Sequence, residues 1–138
     1  MANAHRLASL INEAALNHIV IAEPNTGLSV ALWLSDCLEG RAILAANEHR
    51  LANLIHEATL NHIVTTGLNA GQSVAFWLSS SREGRAILAV NAHRLANLIS
   101  AVTLNHIVTE GPMIGLSVAS FLSTSSGGKL LLTHKHFI

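Results

Sequence analysis

Nine histidines among 138 residues raise the question of metal chemistry first. Six of them fill two recurring positions, His5, His49, His93 and His18, His62, His106, each set spaced by 44 residues. A zinc-type site needs several ligands converging on one point. Side chains that recur once per layer of packed helices stand about 10 Å apart, too far to share an ion. These histidines are therefore read as hydrogen-bonding groups that tie a turn or a neighbouring layer. Asn17, Asn61 and Asn105, beside the second set, are given the same duty. His49, Asn53 and His56 share one helical face, but only in the middle of the chain. His134 and His136 form an H-x-H that reads as a surface pair. No metal and no cofactor is assigned.

Nucleophilic chemistry fares no better. Cys37 and many serines are present, but there is no Gly-x-Ser-x-Gly elbow and no motif-placed His and Asp beside them. Ser81 and Ser125 stand where Cys37 stands, which reads as a solvent-facing loop position. No phosphate loop or dinucleotide fingerprint occurs. No catalytic residue is named, and the chain is read as a non-enzyme. Eight basic residues balance eight acidic ones, which argues against a nucleic-acid partner and against a polybasic membrane patch. No apolar run approaches the ~18 residues of a membrane span. The N-terminus lacks the pattern of a secretory leader. A single cysteine excludes an internal disulfide framework and suits a reducing compartment, so a cytoplasmic location is expected.

What positions these residues is a repeat. "LNHIV" occurs at Leu16, Leu60 and Leu104. Around it, "NAHRLASLINEAALNHIV", "NEHRLANLIHEATLNHIV" and "NAHRLANLISAVTLNHIV" align without gaps from Asn3, Asn47 and Asn91. Downstream, "GLSVALWLSDCLEGRAIL" at Gly27 matches "GQSVAFWLSSSREGRAIL" at Gly71, with a looser copy at Gly115. The expected organisation is one domain, residues 1–138, with units of about 3–46, 47–90 and 91–134.

Each unit reads as helical. Ser73 is an N-cap, followed by Val74, Trp77, Leu78 and Ser81 at helical spacing, a short first helix with its Trp inward. After a break at "SREG", a second helix starts near Glu83, whose charge suits the helix dipole. Ile87, Leu88, Asn91, Leu95, Leu98, Ile99 and Val102 continue one face. That helix either breaks at Asn91 or runs on to about Ser100, and the unbroken helix is preferred. "TLNHIV" then makes a short third helix with Leu104, Ile107 and Val108 on one side. A single unit cannot bury its apolar face, whereas stacked units can. The expectation is an all-α fold, a short α-solenoid of about three units.

The stretch G-x-S-V-A-x-W-L-S…G-R-A-I-L resembles a divergent ankyrin repeat, with a Gly turn, a Ser cap, a short inner helix, a Gly break and an outer helix. Gly27, Ser29, Leu34, Gly40 and Ile43 occupy comparable places, as do Gly71, Ser73, Leu78, Gly84 and Ile87. The match covers under half of each unit. The period is 44 residues rather than about 33, and Val-Ala-Leu or Val-Ala-Phe replaces the family's Pro-Leu-His. The chain also resembles the long-period ankyrin-like arrays of effector proteins of intracellular bacteria, which would place it in a host cytosol. Both resemblances imply a partner-binding scaffold without catalysis. HEAT-like hairpins, with periods near 40 to 47, are the alternative architecture.

Positions filled differently in the three copies are free of shared core duty. Three such sets are Leu32, Phe76 and Ser120; Leu28, Gln72 and Leu116; and Asp36, Leu38 and Arg82. By the ankyrin analogy they line a concave inner-helix face that binds another protein, with an exposed Phe76 as its anchor. The ladders Arg6, Arg50, Arg94 and Arg41, Arg85, Lys129 read as solvated or locally paired rows, with Glu39 and Glu83 near Arg41 and Arg85. Trp33, Trp77 and Phe121 share one slot that reads as core. The alternative function is structural. The chain enters mid-repeat at Asn3 without a polar cap, and uncapped ends are sticky, so the alternative is a fragment of a longer array or an end-to-end homo-oligomer.

Overall fold

The computed structural model describes residues 2–21, 26–65, 70–109, 111, 113–124 and 128–129. Among them the secondary structure is helical throughout, with no strand. In chain order the helices are α1 (Ala2–Leu10), α2 (Glu13–Asn17), α3 (Val30–Ser35), α4 (Leu38–His49), α5 (Glu57–Asn61), α6 (Val74–Ser79), α7 (Arg82–Leu98), α8 (Ala101–Asn105) and α9 (Val118–Ser123). A single 3-10 turn, Ala52–Leu54, lies between α4 and α5. Helices α2, α5 and α8 begin 44 residues apart, as do α3, α6 and α9. The expectations for Ser125, His134 and His136 lie outside the described residues.

All the short helices but α5 start where a side chain can take an orphan amide. Ser29, Ser73 and Ser117 accept from the backbone N–H three residues on, at Leu32, Phe76 and Ser120, as N-capping requires. Ser81 caps α7 in the same way, and at α4 the thiol of Cys37 takes that place, accepting from the Gly40 N–H at 3.3 Å. Cys37 is exposed, as its loop position implied. Gly40 and Gly84 lie where the two helices of each hairpin touch. A Cβ at either would run into the carbonyl of Leu34 or Leu78, so only hydrogen fits.

One apolar cluster extends from Ala4 to Leu122, including Leu16, Leu32, Leu44, Leu51, Ile55, Leu60, Phe76, Leu78, Leu88, Leu95 and Leu104. Helix α3 packs on α6 and α6 on α9, while α4 packs on α1, α3 and α7. Phe76 links α6 to α9, meeting Trp77 edge-on at 5.5 Å and Phe121 at 5.1 Å between ring centroids. No helix is long and apolar enough to cross a membrane among the described residues.

The second helix of the repeat is not continuous. Ala46 leaves the helix at ψ 157, Asn47 and Glu48 are left-handed at φ 54 and 58, and His49 follows at φ 62. Asn91 and His93 are likewise left-handed, at φ 56 and 63. The expected unbroken helix is therefore replaced by a left-handed turn. The tertiary bonds that hold it come from the preceding copy: Asn47 Nδ2 donates to the His5 carbonyl and to Ser9 Oγ. Local propensity favoured continuation, and packing overrode it. The third short helix also ends early. The backbone turns extended at His106, and Leu104 and Val108 are buried while Ile107 is exposed, and Val102 on α8 faces solvent.

Candidate interaction surface

A recurring set of hydrogen bonds joins each copy to the next. Asn17 Nδ2 donates to the Leu54 carbonyl and Asn17 Oδ1 accepts from the His56 N–H. Asn61 does the same with the Leu98 carbonyl and the Ser100 N–H, both at 2.8 Å. Thr59 and Thr103 hydroxyls donate to the Asn17 and Asn61 carbonyls. In the opposite sense, Arg50 donates to the carbonyls of Ala8 and Ile11, and Arg94 to those of Ala52 and Ile55. The asparagines thus tie neighbouring copies, and two arginines of the first ladder are anchoring groups rather than a cationic grip.

The loops close alike too. Val20, Val64 and Val108 N–H groups donate to the carbonyls of Leu28, Gln72 and Leu116, and the N–H groups of Gly27, Gly71 and Gly115 donate back to the valine carbonyls. These three glycines sit at φ near +87, the left-handed region that suits glycine. The Gly27 turn rests on His62 and Val64 of the next copy, and the Gly71 turn on Val108, each 3.4 Å from where a Cβ would stand.

Of the residues expected to meet a partner, Leu28, Leu32, Gln72 and Phe76 are buried. Phe76, expected as the exposed anchor, is 2% exposed and is instead the centre of the core. Leu116 and Ser120 are half-buried. The aromatic slot is the reverse: Trp33 is 54% exposed, and Trp77 and Phe121 are half-buried. Trp77 lies against Phe76 and donates its indole N–H to Gln72 Oε1. Trp77 and Phe121 still pack on the margin of the core, whereas Trp33 turns outward to solvent, because in a helix of six residues the buried face centres on Ala31, Leu32 and Ser35. Asp36, Leu38 and Arg82 remain accessible at the edge where the two helices of a hairpin meet. Partial burial of Asp36 raises its pKa above the usual 3.8, and the charge of Arg41 opposes this.

Arg41 and Arg85 are also held, each donating to the carbonyl that ends the preceding helix, at Ser35 and Ser79. Glu83 reaches back to Arg41 at 3.5 Å rather than pairing with Arg85. Of the histidines, His5 bonds Asn47 and His56 meets the Glu13 carboxylate. His49 Nδ1 has no hydrogen-bond partner among the described residues. No group of three or more His, Cys, Asp or Glu converges for a metal among the described residues.

An apolar recess of about 210 Å³ opens at the first copy, lined by Ala15, His18, Val20, Leu28, Ser29, Val30 and Trp33. Sequence reading missed it, because its signal lies in what the interior copies place on His62 and Val64. No protein-family model, no curated protein and no solved structure matches the chain.

Proposed function

We propose that the chain is a short α-solenoid of three stacked 44-residue units that serves as a scaffold binding another protein, without catalysis. Support comes from one contrast: the asparagine, threonine and arginine bonds that meet backbone groups of the neighbouring copy repeat at equivalent positions, while the accessible edge of the hairpins varies. That edge carries Asp36 and Leu38 in the first unit, and Ser80 and Arg82 in the second, beside a tryptophan common to both. A frame held constant beneath a varied accessible edge is the layout of a recognition surface. It replaces the inner-helix face centred on Phe76. Leu38 and Arg82 differ in chemistry at one equivalent position, and neither has a core role.

The test is capture on the immobilised chain. A discrete protein retained by the wild type and lost with the Leu38→Glu, Arg82→Glu double variant supports the reading, provided the far-ultraviolet spectrum and melting temperature stay unchanged. Retention of the same proteins by wild type and variant would count against it.

A further inference from the structure

The two ends of the described array are complementary, and we infer that a second copy of this chain docks head to tail between them. The inference rests on the stacked-unit reading above. Within the chain, each junction joins a forward face to a rear face. The forward face offers an asparagine, two carbonyls and a glycine turn: Asn17, Ala8, Ile11 and Gly27 in the first unit, and Asn61, Ala52, Ile55 and Gly71 in the second. The rear face offers the arginine that meets those carbonyls and a valine shelf that receives the glycine: Arg50 with Val64, and Arg94 with Val108.

The first unit carries a rear face of the same make with nothing on it among the described residues. Leu7 is 45% exposed, whereas its counterparts Leu51 and Leu95 are 0% and 2% exposed. Arg6, the counterpart of Arg50 and Arg94, is exposed. The apolar recess is floored by His18 and Val20, the counterparts of the His62 and Val64 that receive Gly27. It is therefore the socket for a glycine turn.

The third unit carries the matching forward face, likewise with nothing on it among the described residues. Asn105 is exposed, whereas Asn17 and Asn61 are half-buried. Nothing described lies within 4 Å of the place where a Cβ on Gly115 would stand. Ile107 is exposed, while Ile19 and Ile63 are half-buried. The Gly115 turn of one molecule fits the Trp33 recess of the next. Arg6 of that next molecule then reaches the carbonyls of Ala96 and Ile99, and Asn105 reaches Leu10 and Asn12. Such a contact is heterologous, so it extends into chains or closes into rings rather than stopping at a two-fold dimer.

Sedimentation velocity from low micromolar to near-millimolar chain decides the matter. The weight-average mass should climb past that of a dimer. Arg6→Glu alone and Asn105→Arg alone should each remain monomeric, with melting unchanged, since both positions are exposed. An equimolar mixture of the two should give a pair and nothing larger, because one good rear face meets one good forward face. As an independent reading, a Cys37→Ser chain carrying Asn12→Cys and Asn105→Cys should form intermolecular disulfides under mild oxidation. Those positions correspond to the 2.8 Å contact between Asn17 and the His56 amide. A wild type that stays monomeric throughout, association that survives both single variants, or a mixture that grows beyond pairs would overturn the proposal. A monomer that still loses its captured protein on Leu38→Glu, Arg82→Glu would leave the scaffold reading standing alone.

Discussion

The junction between the first and second copies and the junction between the second and third share one set of bonds and differ in another. Shared are the asparagine bridges of Asn17 and Asn61, the arginine anchors of Arg50 and Arg94, and the glycine turns on valine. The differences lie on exposed ground. At the first junction Asn47 bonds His5 and Ser9, His56 meets Glu13, and Arg41 meets Glu83. At the second, Asn91 bonds Asn53, and Ser100 stands where His56 stood. The shared bonds satisfy backbone groups at the edge of the core, where an unmade bond is costly. The unshared ones join groups in exposed ground, where each contributes less. Register between copies is therefore carried by the first set.

The largest loss should come from what both junctions rest on. Gly84→Ala drives a methyl into the Leu78 carbonyl, and Gly40→Ala does the same at Leu34. Overpacking against backbone should cost about 3 kcal/mol, read as a lowered urea midpoint. Next come Asn17→Ala and Asn61→Ala. Each strands a carbonyl and an amide, and each should cost about 2 kcal/mol. The two losses should match, and a large inequality would break the claim that the junctions share one register device. Third, Asn47→Ala should cost more than Asn91→Ala, about 2 against about 1 kcal/mol. Both place alanine in a left-handed turn, but Asn47 also forfeits bonds to His5 and Ser9.

The smallest effect is electrostatic. Asp36 has a raised pKa in the folded chain, so the folded state holds its proton more tightly than the unfolded state does. The cost of its charge is absent below the ordinary value of 3.8 and fully present above the raised folded value. Asp36→Asn should therefore stabilise slightly at neutral pH, with the gain vanishing in acid, as followed by thermal melts across pH. In the second copy the same place holds Ser80.

The Ser caps and the tying role of the asparagines were legible in the sequence because each depends on a residue type at a fixed offset. The face of the short helix was not. Six residues make under two turns, too few for periodicity to fix a phase. Assigning the largest ring to the core then inverted Trp33 and Leu32, and placed Phe76 outside a core that it fills while Trp77 sits at its margin. The left-handed turn was invisible for another reason. Asn47 tolerates it, but Glu48 and His49 do not announce it, and the bonds that hold it come from residues 38 or more positions earlier. Of the expected partner surface only Leu38 and Arg82 are exposed, since they sit at the hairpin edge rather than on the helix face, while Asp36, Leu116 and Ser120 are half-buried.

Those left-handed residues also bear on how the chain reaches its native form. Each costs about 1–2 kcal/mol beside an ordinary helical residue, so a newly made segment from Leu38 onward is expected to begin as a straight rod. The bend at Asn47 becomes favourable only once His5, Ala8 and Ile11 stand ready to receive Asn47 and Arg50. The bend at Asn91 waits in turn for Ala52, Asn53 and Ile55. Each copy is thus a mould for its successor, and the order of moulding runs in the direction of synthesis.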